Sequence, residues 1–194
     1  MQVDRHLQAV QLARDCVELG ARHHTIRVVT GLSDTVLSSL FADQTWWKRC
    51  GRTPVSTDTY LNQSLPDRVE VCLFANLFDE VFKDTPLPAE ALVASYRLYL
   101  RYCGVRPRVS FDVAFMIASD LRGLWHCEKP RLTLVACTTC QKRSLASCGA
   151  TFVGDCPFCR IVDRYWRDRR VRSHFPPTSL TLAHIEAWRP APVS

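Results

Sequence analysis

Cys137-Thr-Thr-Cys140 and Cys156-Pro-Phe-Cys159 are two Cys-x-x-Cys pairs with fifteen residues between them. A knuckle of this kind presents two thiolates from one tight turn. A structural zinc takes four tetrahedral ligands at about 2.3 Å, so two knuckles close one coordination sphere. No position is left open for a substrate. The expected chemistry is that of a scaffold: one structural Zn2+ per chain, held by Cys137, Cys140, Cys156 and Cys159. Iron is the metal alternative, because Cys-Pro-x-Cys also occurs in rubredoxin-like knuckles. Cys148, followed by Gly149, is the nearby spare thiol that could replace a nominal ligand.

A second metal reading begins at His126-Cys127-Glu128, an H-x-E ahead of a Cys-x-x-Cys, as in zinc deaminases that use a glutamate as proton shuttle. Its spacing argues against it. Eight residues separate Glu128 from Cys137, no proline precedes Cys137, and the second knuckle would have no role. No catalytic residue is assigned, and the chain is not expected to be an enzyme.

Beyond the second knuckle come Arg160, Arg164, Arg167, Arg169, Arg170 and Arg172, against only Asp163 and Asp168. Guanidinium groups at this density could clamp phosphates beside a rigid module; the plainer reading is a solvated charged segment. Lys48, Arg49 and Arg52 follow Trp46 and Trp47 in a predicted loop, and Arg22 and Arg27 flank His23 and His24. Basic and aromatic residues interleaved in this way can grip a nucleic-acid backbone, although paired tryptophans also serve as buried anchors. These eleven cations are the candidate DNA contacts.

The elements that must position these groups are mostly helical. Residues 6 to 20 carry Leu7, Val10, Ala13 and Val17 at helical spacing and end at Gly20. Gly31 marks a turn and Ser33 stands where an N-cap belongs, so residues 21–41 read as a helix-turn-helix with Leu37 and Leu40 inward and Asp34, Thr35, Ser38 and Ser39 outward. That outer face is short of cations. Arg68 to Lys83 predicts a helix apolar on most of its circumference, with Phe74, Phe78 and Phe82 as one stripe. Pro86 and Pro88 interrupt it, Glu90 opens the next helix, and Ser110 can cap another that carries Phe111, Ile117 and Leu121. Leu132–Val135 and Ala150–Val153 read as two short strands, each delivering one knuckle, and the tail from Thr178 suits a short docking helix.

The expected fold is therefore mainly α. A helical core over residues 1–128, with a helix-turn-helix-like segment near 21–41, precedes a four-cysteine zinc-ribbon module over 129–162 and an arginine-rich segment and tail over 163–194. A ribbon this small has too little apolar mass to fold alone, so metal binding should supply much of its stability. Wide apolar faces in a helical domain of this size leave room for a partner subunit.

The 194 residues, 47% hydrophobic and 23% charged, fit a globular protein and give no disordered tract. A net charge of +6 suits an anionic partner. No run of eighteen apolar residues and no signal-like N-terminus occurs, and the six cysteines outside the knuckles share no disulfide framework, so a reducing, cytoplasmic location is expected.

Gln11-Leu-Ala-Arg-Asp-Cys-Val-Glu-Leu-Gly-Ala-Arg22, Thr30-Gly-Leu-Ser33, Leu40-Phe41, Ser56-Thr-Asp58, Ala94-Ser-Tyr-Arg-Leu-Tyr-Leu100 and both cysteine pairs together resemble the FlhC family of flagellar transcriptional activators. The resemblance covers most of the chain. It implies a largely helical protein with a four-cysteine zinc site at Cys137, Cys140, Cys156 and Cys159. It also implies assembly with FlhD into a hetero-oligomer that binds promoter DNA, meets RNA polymerase and activates flagellar genes. Two departures stand out: the stretch around Arg52-Thr-Pro54 is shorter than the family's proline-rich loop, and the helix from Ser33 lacks basic residues. The competing reading from another class is a zinc-ribbon adaptor that binds protein only.

Overall fold

Gly20 and Gly31 stand at φ +81° and +70°, a region where a side chain is strained, and each terminates a helix. In the computed structural model, which describes residues 2–42, 61–85, 87–103, 107–149 and 156–174, these glycines separate the first three helices: α1 (Gln2–Glu18), α2 (His23–Thr30) and α3 (Asp34–Leu40). The Ser33 hydroxyl accepts the Val36 N–H at 3.4 Å, the N-cap that the sequence predicts.

Two leucines on the predicted apolar faces of α1 and α3 differ from expectation. Leu37 is buried, but Leu40 is 38% exposed at the last turn of α3, and Leu7 is 61% exposed. Residues 4–8 of α1 are all exposed, and packing against the core begins only at Ala9. An apolar residue at helical spacing is buried only where another element reaches it.

Helix α4 (Leu65–Asp84) organises the rest. It packs against α5 (Pro88–Cys103), α6 (Phe111–Arg122), the second strand and the helix after the second knuckle. That many neighbours explain why the sequence of α4 is apolar on most of its circumference. Pro88 is the first residue of α5, not a gap ahead of it; a proline's missing N–H is harmless in the first turn. Ser110 caps α6 by accepting the Val113 N–H at 3.4 Å, and Gly123 at φ +63° closes it.

Between these helices the aromatic rings interlock. Phe74 meets Tyr99 edge-on at 6.1 Å and Tyr96 meets Phe111 edge-on at 5.1 Å. Phe74, Phe78, Tyr99, Phe111 and Phe115 are fully buried, each contributing roughly 1.5–3 kcal/mol by leaving water. The Glu70 carboxylate, also buried, accepts the Tyr99 hydroxyl and the Arg108 N–H at 2.8 Å, so this acid is a structural group within the core.

After α6 the chain makes a two-stranded antiparallel hairpin, β1 (Leu132–Ala136) and β2 (Arg143–Ser147), paired from Leu132↔Ser147 to Ala136↔Arg143. The second strand expected at Ala150–Val153 lies outside the described residues. The partner of β1 instead follows the first knuckle directly, because that knuckle is itself the hairpin turn. Leu132 and Leu145 belong to the same buried cluster as the helical core, so the hairpin is fused to the helices along one apolar face. Two further helices follow, α7 (Pro157–Arg167) and α8 (Arg169–His174), making eight helices among the described residues. None of the helices among those residues is long and apolar enough to cross a membrane. Trp46–Pro54 and the tail from Thr178 lie outside the described residues.

Candidate metal centre

The first knuckle is shaped by backbone hydrogen bonds. Ala136 and Arg143 pair as the last rung of the hairpin; above them the Cys137 N–H donates to the Lys142 carbonyl at 3.0 Å and the Gln141 N–H to the Cys137 carbonyl at 2.9 Å. Gln141 takes a left-handed φ of +60° to close the turn. The second knuckle is built differently, on the first turn of α7. Cys156 is the N-cap, Pro157 occupies the first helical position, and Cys159 follows half a turn on, with the Arg160 N–H donating to the Cys156 carbonyl at 3.0 Å.

These two turns bring the Cys137, Cys140, Cys156 and Cys159 sulfurs within 4.8 Å of one another. The Cys137–Cys159 and Cys140–Cys156 sulfurs are 3.8 and 3.7 Å apart. A tetrahedral metal about 2.3 Å from each sulfur sets neighbouring sulfurs about 3.8 Å apart, whereas a disulfide would bring them to about 2.05 Å. The donor set therefore fits a four-thiolate metal, and all four cysteines are free thiols. The backbone N–H groups of Cys140 and Thr139 lower the Cys137 thiol to about 6, while burial raises Cys140 and Cys159. Bound metal would hold all four as thiolates.

Groups around the sulfurs fix the site against the core. The Ser144 hydroxyl lies 3.5 Å from the Cys156 sulfur, and the Leu145 N–H donates to the Cys72 sulfur of α4 at 3.3 Å. Arg143, the first residue of β2, reaches three residues of α4: its guanidinium donates to Asn76 Oδ1 at 3.1 Å, Asp79 Oδ2 at 2.6 Å and Glu80 Oε1 at 2.5 Å. Asn76 Nδ2 returns a bond to the Arg143 carbonyl at 2.8 Å. Sequence reasoning missed this junction. Its signal is legible in retrospect: three polar residues at i, i+3 and i+4 on a helix apolar on most of its circumference.

Among the described residues the four cysteines are the one group of three or more His, Cys, Asp and Glu side chains that could hold a metal, so neither His126 nor Glu128 joins it. Cys127 is turned inward, its thiol 2.9 Å from Asp120 Oδ1. Cys148 is exposed past the end of β2, at the opposite end of the hairpin from the knuckle.

The candidate cations separate into groups. Arg22 is engaged by the buried Asp112, and Arg27 lies 3.7 Å from Asp34. Lys48, Arg49 and Arg52 lie outside the described residues. Arg160, Arg164 and Arg167 recur along α7, and Arg169 and Arg170 open α8; all five are exposed. Arg172 turns back and donates to the Tyr165 and Trp166 carbonyls at 3.3 and 2.8 Å, capping the C-terminal turn of α7. The second knuckle and the first arginines thus share one helix, which runs across the boundary expected at 162/163.

Fold and site define a mainly helical protein with a closed four-thiolate centre compatible with a structural metal, its charged helices leaving directly from that centre. No curated protein matches the chain. The family model described as flagellar transcriptional activator (FlhC) matches residues 2–172, and the chain belongs to that family. The family is one of transcriptional regulators, and its members act in flagellar gene activation.

Proposed function

We propose that the chain is the DNA-binding subunit of a heteromeric FlhD/FlhC-type activator, working in the cytoplasm at flagellar promoters and contacting RNA polymerase there. One zinc ion per chain, bound by Cys137, Cys140, Cys156 and Cys159, fastens the hairpin turn to the start of α7. In this reading the helical body over residues 1–128 meets the FlhD-type partner. The module over 129–162 is the rigid joint, and the segment from 163 onward, together with Arg160, faces the phosphates.

The observation that carries the reading is the row of exposed arginines on α7 and α8, rooted at the cluster by Cys156 and Cys159. A helix anchored at one end presents its cations in a fixed direction, which lowers the ordering cost of a phosphate contact. Arg160, Arg164, Arg167, Arg169 and Arg170 are the proposed phosphate contacts. Arg22 and Arg27 have acidic neighbours within the chain, and the α2–α3 corner serves as packing in this reading.

Gel retardation of a promoter duplex by the complex with its partner, repeated across a salt series, tests this. Neutralising several phosphates releases as many counterions, so affinity should fall steeply with salt. Unchanged duplex mobility at low salt with a folded, zinc-loaded complex would sink the reading in favour of an adaptor that binds protein only.

A further inference from the structure

Arg143 sits where the metal module and the helical body meet, and α4 holds both its side chain and its main chain. Asn76, Asp79 and Glu80 occupy successive positions on one face of α4, and all three accept from the Arg143 guanidinium at 3.1, 2.6 and 2.5 Å. The main chain is held as well, by Asn76 Nδ2 on the Arg143 carbonyl at 2.8 Å. Asp79 is mostly buried and also receives Arg122, so its carboxylate lies between two guanidinium groups, one from α6 and one from β2. Charge-assisted bonds of this kind, partly shielded from water, hold an orientation more tightly than an exposed pair.

The position of Arg143 in the chain gives that grip a consequence. It pairs with Ala136 as the last rung below the knuckle, and its neighbour Ser144 touches Cys156 across the cluster. A fixed Arg143 therefore fixes the knuckle, which holds Cys156 and Cys159 and, together with the direct packing of α7 against α4, sets the direction of α7. Apolar packing at Leu132 and Leu145 secures the hairpin but is non-directional; the reciprocal bonds with Asn76 and the guanidinium bond to Asp79 select one angle.

We propose that Arg143 is a positioning residue, acting through its contacts with Asn76, Asp79 and Glu80 to set the direction in which α7 carries its arginines relative to the helical body. The inference rests on the DNA-binding reading above for its consequence at DNA, and on the junction alone for its consequence in the free protein. A duplex of about one turn is held by the arginine helices alone, whereas one of about four turns can also reach the FlhD-type partner carried on the body, so the added affinity for the long duplex depends on the angle between α7 and the body. Arg143 itself touches no phosphate in this scheme.

The test compares wild type with Arg143→Gln, each assembled with the FlhD-type partner, on random-sequence duplexes of about one and about four turns. The expected result is affinity for the long duplex lowered about tenfold, with short-duplex affinity, salt slope and zinc content as in wild type. A smaller salt slope would make Arg143 a phosphate contact, loss of zinc would make it part of the module's fold, and unchanged long-duplex affinity would show that it positions nothing; each overturns the proposal. Amide exchange without DNA gives a second readout. The Leu145 N–H, bonded to the Cys72 sulfur across the same junction, should exchange about tenfold faster in Arg143→Gln, with the β1–β2 ladder unaffected. If wild type binds neither duplex, the DNA reading fails, and the exchange result alone decides the role of Arg143: unchanged exchange at Leu145 overturns it.

Discussion

Arg22 Nε stands 3.3 Å from Asp112 Oδ2, while Oδ1 of the same carboxylate accepts the Arg22 backbone N–H at 3.0 Å and the Thr25 hydroxyl at 2.6 Å. The start of α2 is thereby tied to the first turn of α6 by one buried acid. A cation that the sequence offers as a DNA contact is, within the fold, a fastener between two helices.

Arg22→Ala should accordingly lower stability by about 1 kcal/mol, since two donors to Asp112 remain, and leave the salt dependence of DNA binding as in wild type. Asp112→Ala should cost more, about 3 kcal/mol, because it leaves buried donors unpaired. Urea unfolding and a retardation series measure both. An Arg22→Ala variant of normal stability and reduced salt slope would reverse the assignment.

Replacing Arg164 and Arg167 by alanine should weaken binding about equally for all DNA sequences. The log–log salt slope should shrink by about 1 for each phosphate no longer neutralised, with zinc content intact. Arg167 lies 3.4 Å from Asp163 on the exposed face of α7, a pair that is readily exchanged for a phosphate. Arg172→Ala should act differently: it removes the bonds to the Tyr165 and Trp166 carbonyls and so frees α8, weakening only the contribution of Arg169 and Arg170. Metal analysis that found less zinc in the Arg164 and Arg167 variants would contradict the separation of scaffold from DNA-binding groups.

Chelation, or Cys137→Ser, should unfold the knuckles and release α7, while α1 to α6 keep their helical signal. Hydrogen exchange should show protection lost first in β2 and α7, and far-UV dichroism should retain most of its amplitude. Because Leu132 and Leu145 complete the core, some loss of thermal stability in the helices is also expected. Protection in β2 and α7 that survives metal removal would mean that packing alone holds the module.

Alkaline pH should destabilise the protein earlier than an exposed-thiol protein of its size. Burial raises the Cys16 thiol from 9.0 to about 12, Cys72 from 9.0 to about 11, and the Tyr96 phenol from 10.0 to about 12. In the unfolded chain the two thiols lose their protons above about 9, whereas the folded protein keeps them, so unfolding releases protons and stability falls as pH rises from about 9 towards 11 and 12. Below 9 both states are protonated and the contribution is fully present. The slope is about 1.4 kcal/mol per pH unit for each such group. Denaturant midpoints that stay level through this window would show that these groups are solvated.

Much of the helical frame is readable from residue patterns. Gly31 and Ser33 specify the α2–α3 corner because a left-handed glycine and a side-chain cap are local devices, complete within a few residues. Ser110 is legible for the same reason. The aromatic stripe Phe74, Phe78 and Phe82 marks α4 as a core helix, and two of the three are fully buried with Phe82 packed at the edge. The second strand was not legible. Arg143–Ser147 has no alternation of apolar and polar residues, since Ser144, Leu145 and Ala146 are all buried: one face meets α4 and the other meets the cysteines.

By itself the sequence determined the helical frame and which four cysteines come together. Cysteine spacing and capping residues act over a single turn, and the energies that fix them do not depend on distant parts of the chain. Tertiary structure alone decided that Arg22 lies beside a buried acid while Arg164, Arg169 and Arg170 are exposed. Whether an arginine faces solvent or a buried acid depends on residues far away in the chain, as with Arg22 and Asp112, or Arg143 and Asp79. A guanidinium looks the same in sequence at either kind of position; the difference lies in the local dielectric and in the carboxylate that folding brings beside it.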